Sequence, residues 1–205
     1  PADQPSLEVE PLTGPRAFPA GAGKEVGDDE HADYGDALHA YLATLPATVD
    51  LDHALRLEVA RGCLAAHEVE VHASPEELVA AGERFLDWCH RTYPGATLHA
   101  EVLVTGPRVD GGLWHGTMDA LLELPDGSFV IVDHKSTPVG TEGGQRAVAR
   151  RYAGQLRAYA EALRGLGARV AGTWIHLPVG GACVRVGVGV SAAERLAERV
   201  LEERG

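Results

Sequence analysis

At 205 residues, 45% of them hydrophobic, the chain is long enough for one compact domain with a sizeable core. A net charge of −12 excludes a surface that grips nucleic acid everywhere, so any such contact must rest on local positive charge, a metal ion or a partner. The three cysteines, Cys63, Cys89 and Cys183, are scattered without a C-x-x-C pair, which excludes a disulfide framework and a zinc ribbon.

No run approaches roughly 18 consecutive apolar residues, and the N-terminus lacks a basic-then-apolar signal pattern. The expectation is a soluble, cytoplasmic protein with no membrane partner. Residues 1–33 are rich in Pro, Gly and acidic side chains, show no periodicity and begin without Met. They read as a linker or extended segment ahead of a domain over 34–205, and the whole as an excised piece of a longer chain.

Apolar residues at Tyr34, Leu38, Tyr41, Leu42 and Leu45 predict a helix that Pro46 stops. A second helix is predicted over 50–67. A third runs from Pro75 to about Tyr93, opened by Ser74 and Glu77 at capping-box spacing. After Pro94, the Val-, Leu- and Ile-rich segments 97–104, 112–124 and 128–135 read as strands. A long helix over 145–166 follows, then strands near 169–177 and 182–188, and a last helix opened by Ser191 and Glu194. No internal repeat is present, and the order implies an α/β fold: a mixed central sheet flanked by helices, with a helical N-terminal portion.

Pro125-Asp126-Gly127 between two strand-like runs is the signature of a type I turn followed by a left-handed glycine, a three-residue hairpin loop. With Leu124 paired to Ser128, counting back sets Asp119 directly opposite Asp133. Lys135 then shares their face, and Ala120, Leu122, Val130 and Val132 fill the other. Two carboxylates with Cβ atoms roughly 5 Å apart repel each other, so a positive charge must sit between them. A hard divalent cation suits such a pair, and Lys135 is conspicuous because only it and Lys24 are lysines among 18 basic residues. Standing alone, the same pair would read as strand-end residues facing solvent.

On the long helix, Tyr152, Gln155 and Tyr159 share one stripe, and Arg146, Arg150, Arg151 and Arg157 form a candidate DNA-binding patch. Taken singly, these arginines read as a solvated helix face and the tyrosines as core. His39 on the first helix reads as a core histidine, and Glu101 as an exposed strand residue.

In order, Gly35-x-x-x-His39, Glu101, Gly116-x-x-Asp119, Val132-Asp133-His134-Lys135 and Gln155-x-x-x-Tyr159 resemble the RecB-like branch of the PD-(D/E)XK nuclease superfamily. The likeness covers residues from about 34 to 178 and implies a restriction-endonuclease-like fold and a Mg²⁺- or Mn²⁺-dependent DNA nuclease. It implies that Asp119, Asp133, His39 and the His134 backbone carbonyl hold the metal, with Glu101 an accessory position. Lys135 would be catalytic, and Gln155 and Tyr159 would support the site near DNA. Such domains sit at the C-terminus of UvrD/Rep-type helicases, as in AddA and RecB. That placement implies a role in double-strand break repair, a motor in the same polypeptide and a possible second helicase-nuclease subunit.

Relatives with an iron-sulfur cluster use four cysteines, so no such cluster is expected from the three here. His134 and Ser136 stand where Tyr and Thr are usual. The competing readings are a catalytically inactive DNA-guiding or scaffolding module, and a zinc hydrolase. The latter finds no H-x-H or H-E-x-x-H spacing.

Overall fold

The computed structural model describes residues 5–13, 28–71, 73–107 and 112–187. Six strands form one mixed sheet: β1 (Leu7–Pro11), β2 (Thr97–Pro107), β3 (Leu113–Glu123), β4 (Phe129–His134), β5 (Val170–Leu177) and β6 (Ala182–Val186). They lie in the order β1-β6-β5-β4-β3-β2, and the β4–β5 pair is parallel while its neighbours are antiparallel.

One face carries α1 (Asp28–Ala43), the short α2 (Leu45–Thr48), α3 (His53–Ala66) and α4 (Pro75–Thr92). Their apolar sides pack on Ala120, Leu122, Val130, Val132, Trp174 and Cys183. The other face carries α5 (Glu142–Gly165), which packs through Ala149, Ala153, Leu156 and Ala160 on Leu121, Ile131, Ile175 and Val184. Alternation along each central strand thus feeds two cores, the pattern of a sheet covered on both sides. This is the α/β architecture expected from the sequence. Among the described residues no helix is long and apolar enough to cross a membrane.

Local chemistry sets several boundaries. Ser74 and Glu77 close the capping box of α4, Asp52 caps α3, and Thr141 caps α5 by accepting from Gly144. Pro46 does not end helical structure: it occupies the first turn of α2, where its missing N–H is not needed.

Within the span expected to be a linker or extended segment, the structure describes one strand and the start of a helix. Leu7–Pro11 is an edge strand paired with β6, with Leu7 and Val9 packed on the α5-side core and Glu10 accepting from the Trp88 indole. Five residues of strand ending in proline are allowed at an edge, where the missing donor breaks no ladder. Helix α1 likewise begins at Asp28, ahead of the expected start. The helix expected after Ser191 lies outside the described residues.

Candidate active site

The hairpin loop forms as its chemistry requires. Gly127 takes φ +75° and donates to the Leu124 carbonyl at 2.9 Å, and Leu124 donates to Ser128 at 2.8 Å. The register follows: Glu123 pairs with Phe129, Leu122 with Val130, Leu121 with Ile131 and Ala120 with Val132. One step further would pair Asp119 with Asp133, but the ladder ends at Ala120 and Val132. There the Asp119 side chain replaces a backbone acceptor: its Oδ2 takes the His134 N–H at 2.7 Å. The two strands part around the carboxylates instead of closing over them.

Beyond that point β3 also changes faces. Ala120 and Leu122 pack on the α1–α4 side, whereas Met118 packs on the α5 side, as do Val102 and Val104 on β2. The switch occurs at Asp119 and at Glu101, which is exposed and holds φ +51°. A glutamate in the left-handed region is strained, and its charge acts on both Asp119 and His39. The structure therefore brings Glu101 to the rim of this site.

Asp133 lies at the C-terminal end of β4, 1% exposed, with Oδ2 at 2.6 Å from Lys135 Nζ. Its Oδ1 is buried and has no hydrogen-bond partner. Burial first, and the Asp119 charge second, push its carboxyl up to about 6. Asp119 is raised as well, by burial, against the opposing pull of the His134 N–H and Lys135. Lys135 is the cation here, and its ammonium also sits over the Tyr152 ring at 4.5 Å. His39 approaches from α1, Nδ1 at 3.8 Å from Asp119 Oδ2, and burial lowers its pKa so that a neutral imidazole faces the carboxylate.

Gly35 makes that approach possible. A Cβ there would stand 2.5 Å from Ser136 Oγ, so α1 lies against the segment following Lys135 only because position 35 has no side chain. Gly35→Ala is expected to cost about 1–3 kcal/mol, and Gly35→Ala with Ser136→Ala should recover part of that loss. Urea unfolding of the two variants checks this; equal stability of Gly35→Ala and wild type would contradict it.

Behind the carboxylates, His134 and His176 share a hydrogen bond between their Nδ1 atoms at 2.9 Å, both side chains fully buried. Phe85 stacks on His176 and meets His134 edge-on. Burial lowers both histidines well below the ordinary range, to about 3 for His176, so the pair is neutral. The backbones of the same residues hold the site: His134 N–H binds Asp119, and the His176 carbonyl accepts Lys135 N–H at 2.8 Å.

His176→Leu should cost about 1–3 kcal/mol by orphaning the His134 ring nitrogen. His134→Phe with His176→Leu should cost less than the sum of the single changes, and a double-mutant cycle by chemical denaturation reads the coupling. Strict additivity would contradict it.

Gln155 and Tyr159 act from α5. Gln155 Nε2 donates to the Tyr159 hydroxyl at 2.9 Å, which donates to the Thr117 carbonyl at 2.8 Å. They tie α5 to β3 two residues from Asp119 and do not touch the carboxylates.

The four arginines do not form one patch. Arg151 flanks Tyr152, its guanidinium 5.7 Å from the ring. Arg146 is held by Glu142 and by the Leu7 carbonyl on the far edge of the sheet. Arg150 and Arg157, both exposed, share the Arg146 flank by helical spacing.

The donor set suits a hard divalent cation. Two carboxylates each keep one oxygen uncommitted, one of them buried without a hydrogen bond, and a neutral imidazole stands beside them. Among the described residues no three His, Cys, Asp or Glu side chains are gathered into a ready-made cage. The fit is thus that of an ion keeping several waters.

A family model for the PD-(D/E)XK nuclease superfamily matches residues 13–203. The chain belongs to that superfamily. Asp133-His134-Lys135, at and just past the end of β4, has the spacing of a D-x-K motif. Over 74 residues the domain is 42% identical to a protein from Desulforudis audaxviator (strain MP104C) that is named as an ATP-dependent helicase/nuclease subunit, covering 36% of this chain. It spans only 5% of that relative's length. A solved structure, "Crystal structure of SSO0001", is similar over 82% of this chain and 75% of its own, at 18% identity and a TM-score of 0.37, too low to bear on the fold.

Two features of this site carry no signal in the sequence. His176 reaches His134 through the parallel β4–β5 register, which a helical crossover leaves open, and Phe85 looks like any apolar residue of α4.

Proposed function

We propose that the chain is a RecB-like nuclease domain that hydrolyses DNA phosphodiester bonds with Mg²⁺ or Mn²⁺. It would form the C-terminal part of a cytoplasmic helicase-nuclease acting in double-strand break repair, with the motor in the same polypeptide and a possible second subunit. The observation that carries the reading is the buried Asp133 carboxylate, with one oxygen on Lys135 and the other unpartnered, beside the inserted carboxylate of Asp119. The partial match to a protein named as a helicase/nuclease subunit supports the context.

Asp119 and Asp133 would hold the cation, with His39, the His134 carbonyl and Glu101 at its margin. When bound, the ion supplies positive charge to the phosphate oxygens and makes water acidic. Lys135 Nζ, 2.6 Å from Asp133 Oδ2, would hold the attacking water and stabilise its developing charge. In-line attack would form a P–O bond to the water, which gives up a proton to solvent, and break the bond to the 3′-oxygen, which takes one up, leaving a 5′-phosphate and a 3′-hydroxyl. Tyr152, under the ammonium, keeps Lys135 aimed, while Gln155 and Tyr159 fix the distance between α5 and β3.

The Lys135 ammonium, which already occupies one oxygen of Asp133, favours a second reading, an inactive DNA-guiding module. Incubating the chain with single-stranded and duplex DNA, in Mg²⁺, Mn²⁺ or a chelator, separates the two. Metal-dependent release of nucleotides that Asp119→Ala removes supports the nuclease; intact DNA under every condition supports the guide.

A further inference from the structure

Strand β3 outruns β4. From Leu113 to Thr117 it pairs only with β2, so the two strands leave the sheet as a ribbon rising beside the carboxylates. On the α5 side of this ribbon Trp114 lies across its backbone. Three indole atoms, Nε1, Cε2 and Cζ2, each stand 2.6 Å from where a Gly106 Cβ would be, so one ring face is laid flat over Gly106. Gly116 lies under the ring's other end, where a Cβ would stand 3.2 Å from Trp114 Cζ3 and 2.9 Å from Tyr159. Two glycines thus give room to one large ring, which is half-buried and meets Tyr159 at 6.0 Å with a 41° tilt.

The α5 stripe joins this ring to the chemistry. Tyr152 sits under Lys135, and Tyr159, seven residues on, sits beside Trp114. Seven residues of helix rise about 10 Å, a nucleotide or two along an unstacked strand. The chain is strongly acidic, and of Arg146, Arg150, Arg151 and Arg157 all but Arg151 lie on the other flank, so a strand leaving the site toward the ribbon meets the Trp114 ring more than cations. Base stacking on an aromatic ring holds single strands under such conditions, without sequence preference.

We propose that Trp114 is a stacking platform for an unpaired nucleobase of the DNA strand whose phosphate lies at Asp119, Asp133 and Lys135. This rests on the nuclease reading above and adds a substrate class: strands whose bases are unpaired next to the scissile phosphate. A blunt duplex offers no free base face to the ring.

Tryptophan emission reads the contact directly, because Trp88 and Trp174 are 1% and 2% exposed and Trp114 is the accessible one of the three. Oligothymidylate is titrated into the whole chain in Ca²⁺ at low ionic strength, following binding by anisotropy of a labelled strand and stacking by emission. Binding with quenching is expected, with the quenching lost in Trp114→Phe and when an abasic site is placed at one position of the strand. Trp114→Ala should weaken binding roughly 5- to 100-fold, and Trp114→Phe, which still covers Gly106, by less.

Binding without quenching, or quenching that survives Trp114→Phe, overturns the platform and leaves the nuclease reading standing. No binding of the strand by the wild-type chain overturns both.

Discussion

Lys135→Met is expected to lower the stability of the metal-free protein at pH 8 by about 3 kcal/mol and to cut metal-dependent DNA cleavage by roughly 10²- to 10⁴-fold. The ammonium stands 2.6 Å from a carboxylate that is 1% exposed, and burial and Asp119 already hold that carboxyl near 6. Removing the cation takes away an influence that lowers this pKa and leaves the two that raise it. The folded-state pKa then lies further above the unfolded value, and stability is lost as pH rises through it. The deficit in melting temperature should therefore be large at pH 8 and small at pH 5, where Asp133 takes up a proton in both proteins. A deficit independent of pH would contradict this, and retained cleavage would remove Lys135 from the chemistry.

Asp133→Asn has the opposite sign for stability and the same sign for activity. A carboxyl raised from the ordinary aspartate value to about 6 costs the folded state about 1.4 kcal/mol per unit once ionised, close to 3 kcal/mol in all. That cost is absent below pH 4, grows between pH 4 and pH 6 and is constant above. The amide carries no charge, so the variant should melt on the order of 5–10 °C above wild type at pH 8 in chelator, with the gap closing toward pH 4. His134 and His176, buried and neutral with lowered pKa values, act in reverse, and their stability is lost as pH falls below the ordinary histidine range. They are common to both proteins, so the difference between variant and wild type isolates Asp133. Cleavage should vanish, since the buried oxygen proposed to face the cation is then part of a neutral amide. A variant less stable than wild type at pH 8, or still active, would contradict the reading of this carboxylate as an unsatisfied anion.

Combining the two changes, Lys135→Met with Asp133→Asn, should recover stability without recovering activity. The structure holds a charged pair in a buried place at a cost in stability, as expected of groups kept for chemistry.

The hairpin was legible in the sequence because its determinants are local. Pro125, Asp126 and Gly127 fix the turn, the turn fixes the register, and the register carries Asp119 to the level of Asp133. What the sequence could not say is that the ladder stops one pair short, with Asp119 inserted onto His134 N–H, because side-chain capture of a ladder donor leaves no periodic trace. The helical and strand order was equally legible from apolar spacing and caps. Strand β1 was not, because the alternation of Leu7, Glu8, Val9 and Glu10 is only four residues long between proline-bearing neighbours.

The support behind the site was hidden for a different reason. His39 depends on Gly35 meeting Ser136, and His176 on the parallel register of β5, both contacts between segments far apart in the chain. Resemblance supplied His39 and Glu101 as motif positions. The left-handed backbone at Glu101 and the change of faces there belong to three-dimensional packing. The arginine patch drew four residues from one stretch of helix, and helical geometry together with the bond from Arg146 to Leu7 divides them between two flanks.

Asp119 and Asp133 are proposed to share a divalent cation. Calorimetric titration of Mn²⁺ into the chain at pH 8 tests this most directly, because it needs neither DNA nor a helicase. A shared ion predicts a single-site isotherm that disappears in both Asp119→Ala and Asp133→Ala. No binding by the wild-type chain, or binding unchanged in Asp133→Ala, would contradict it.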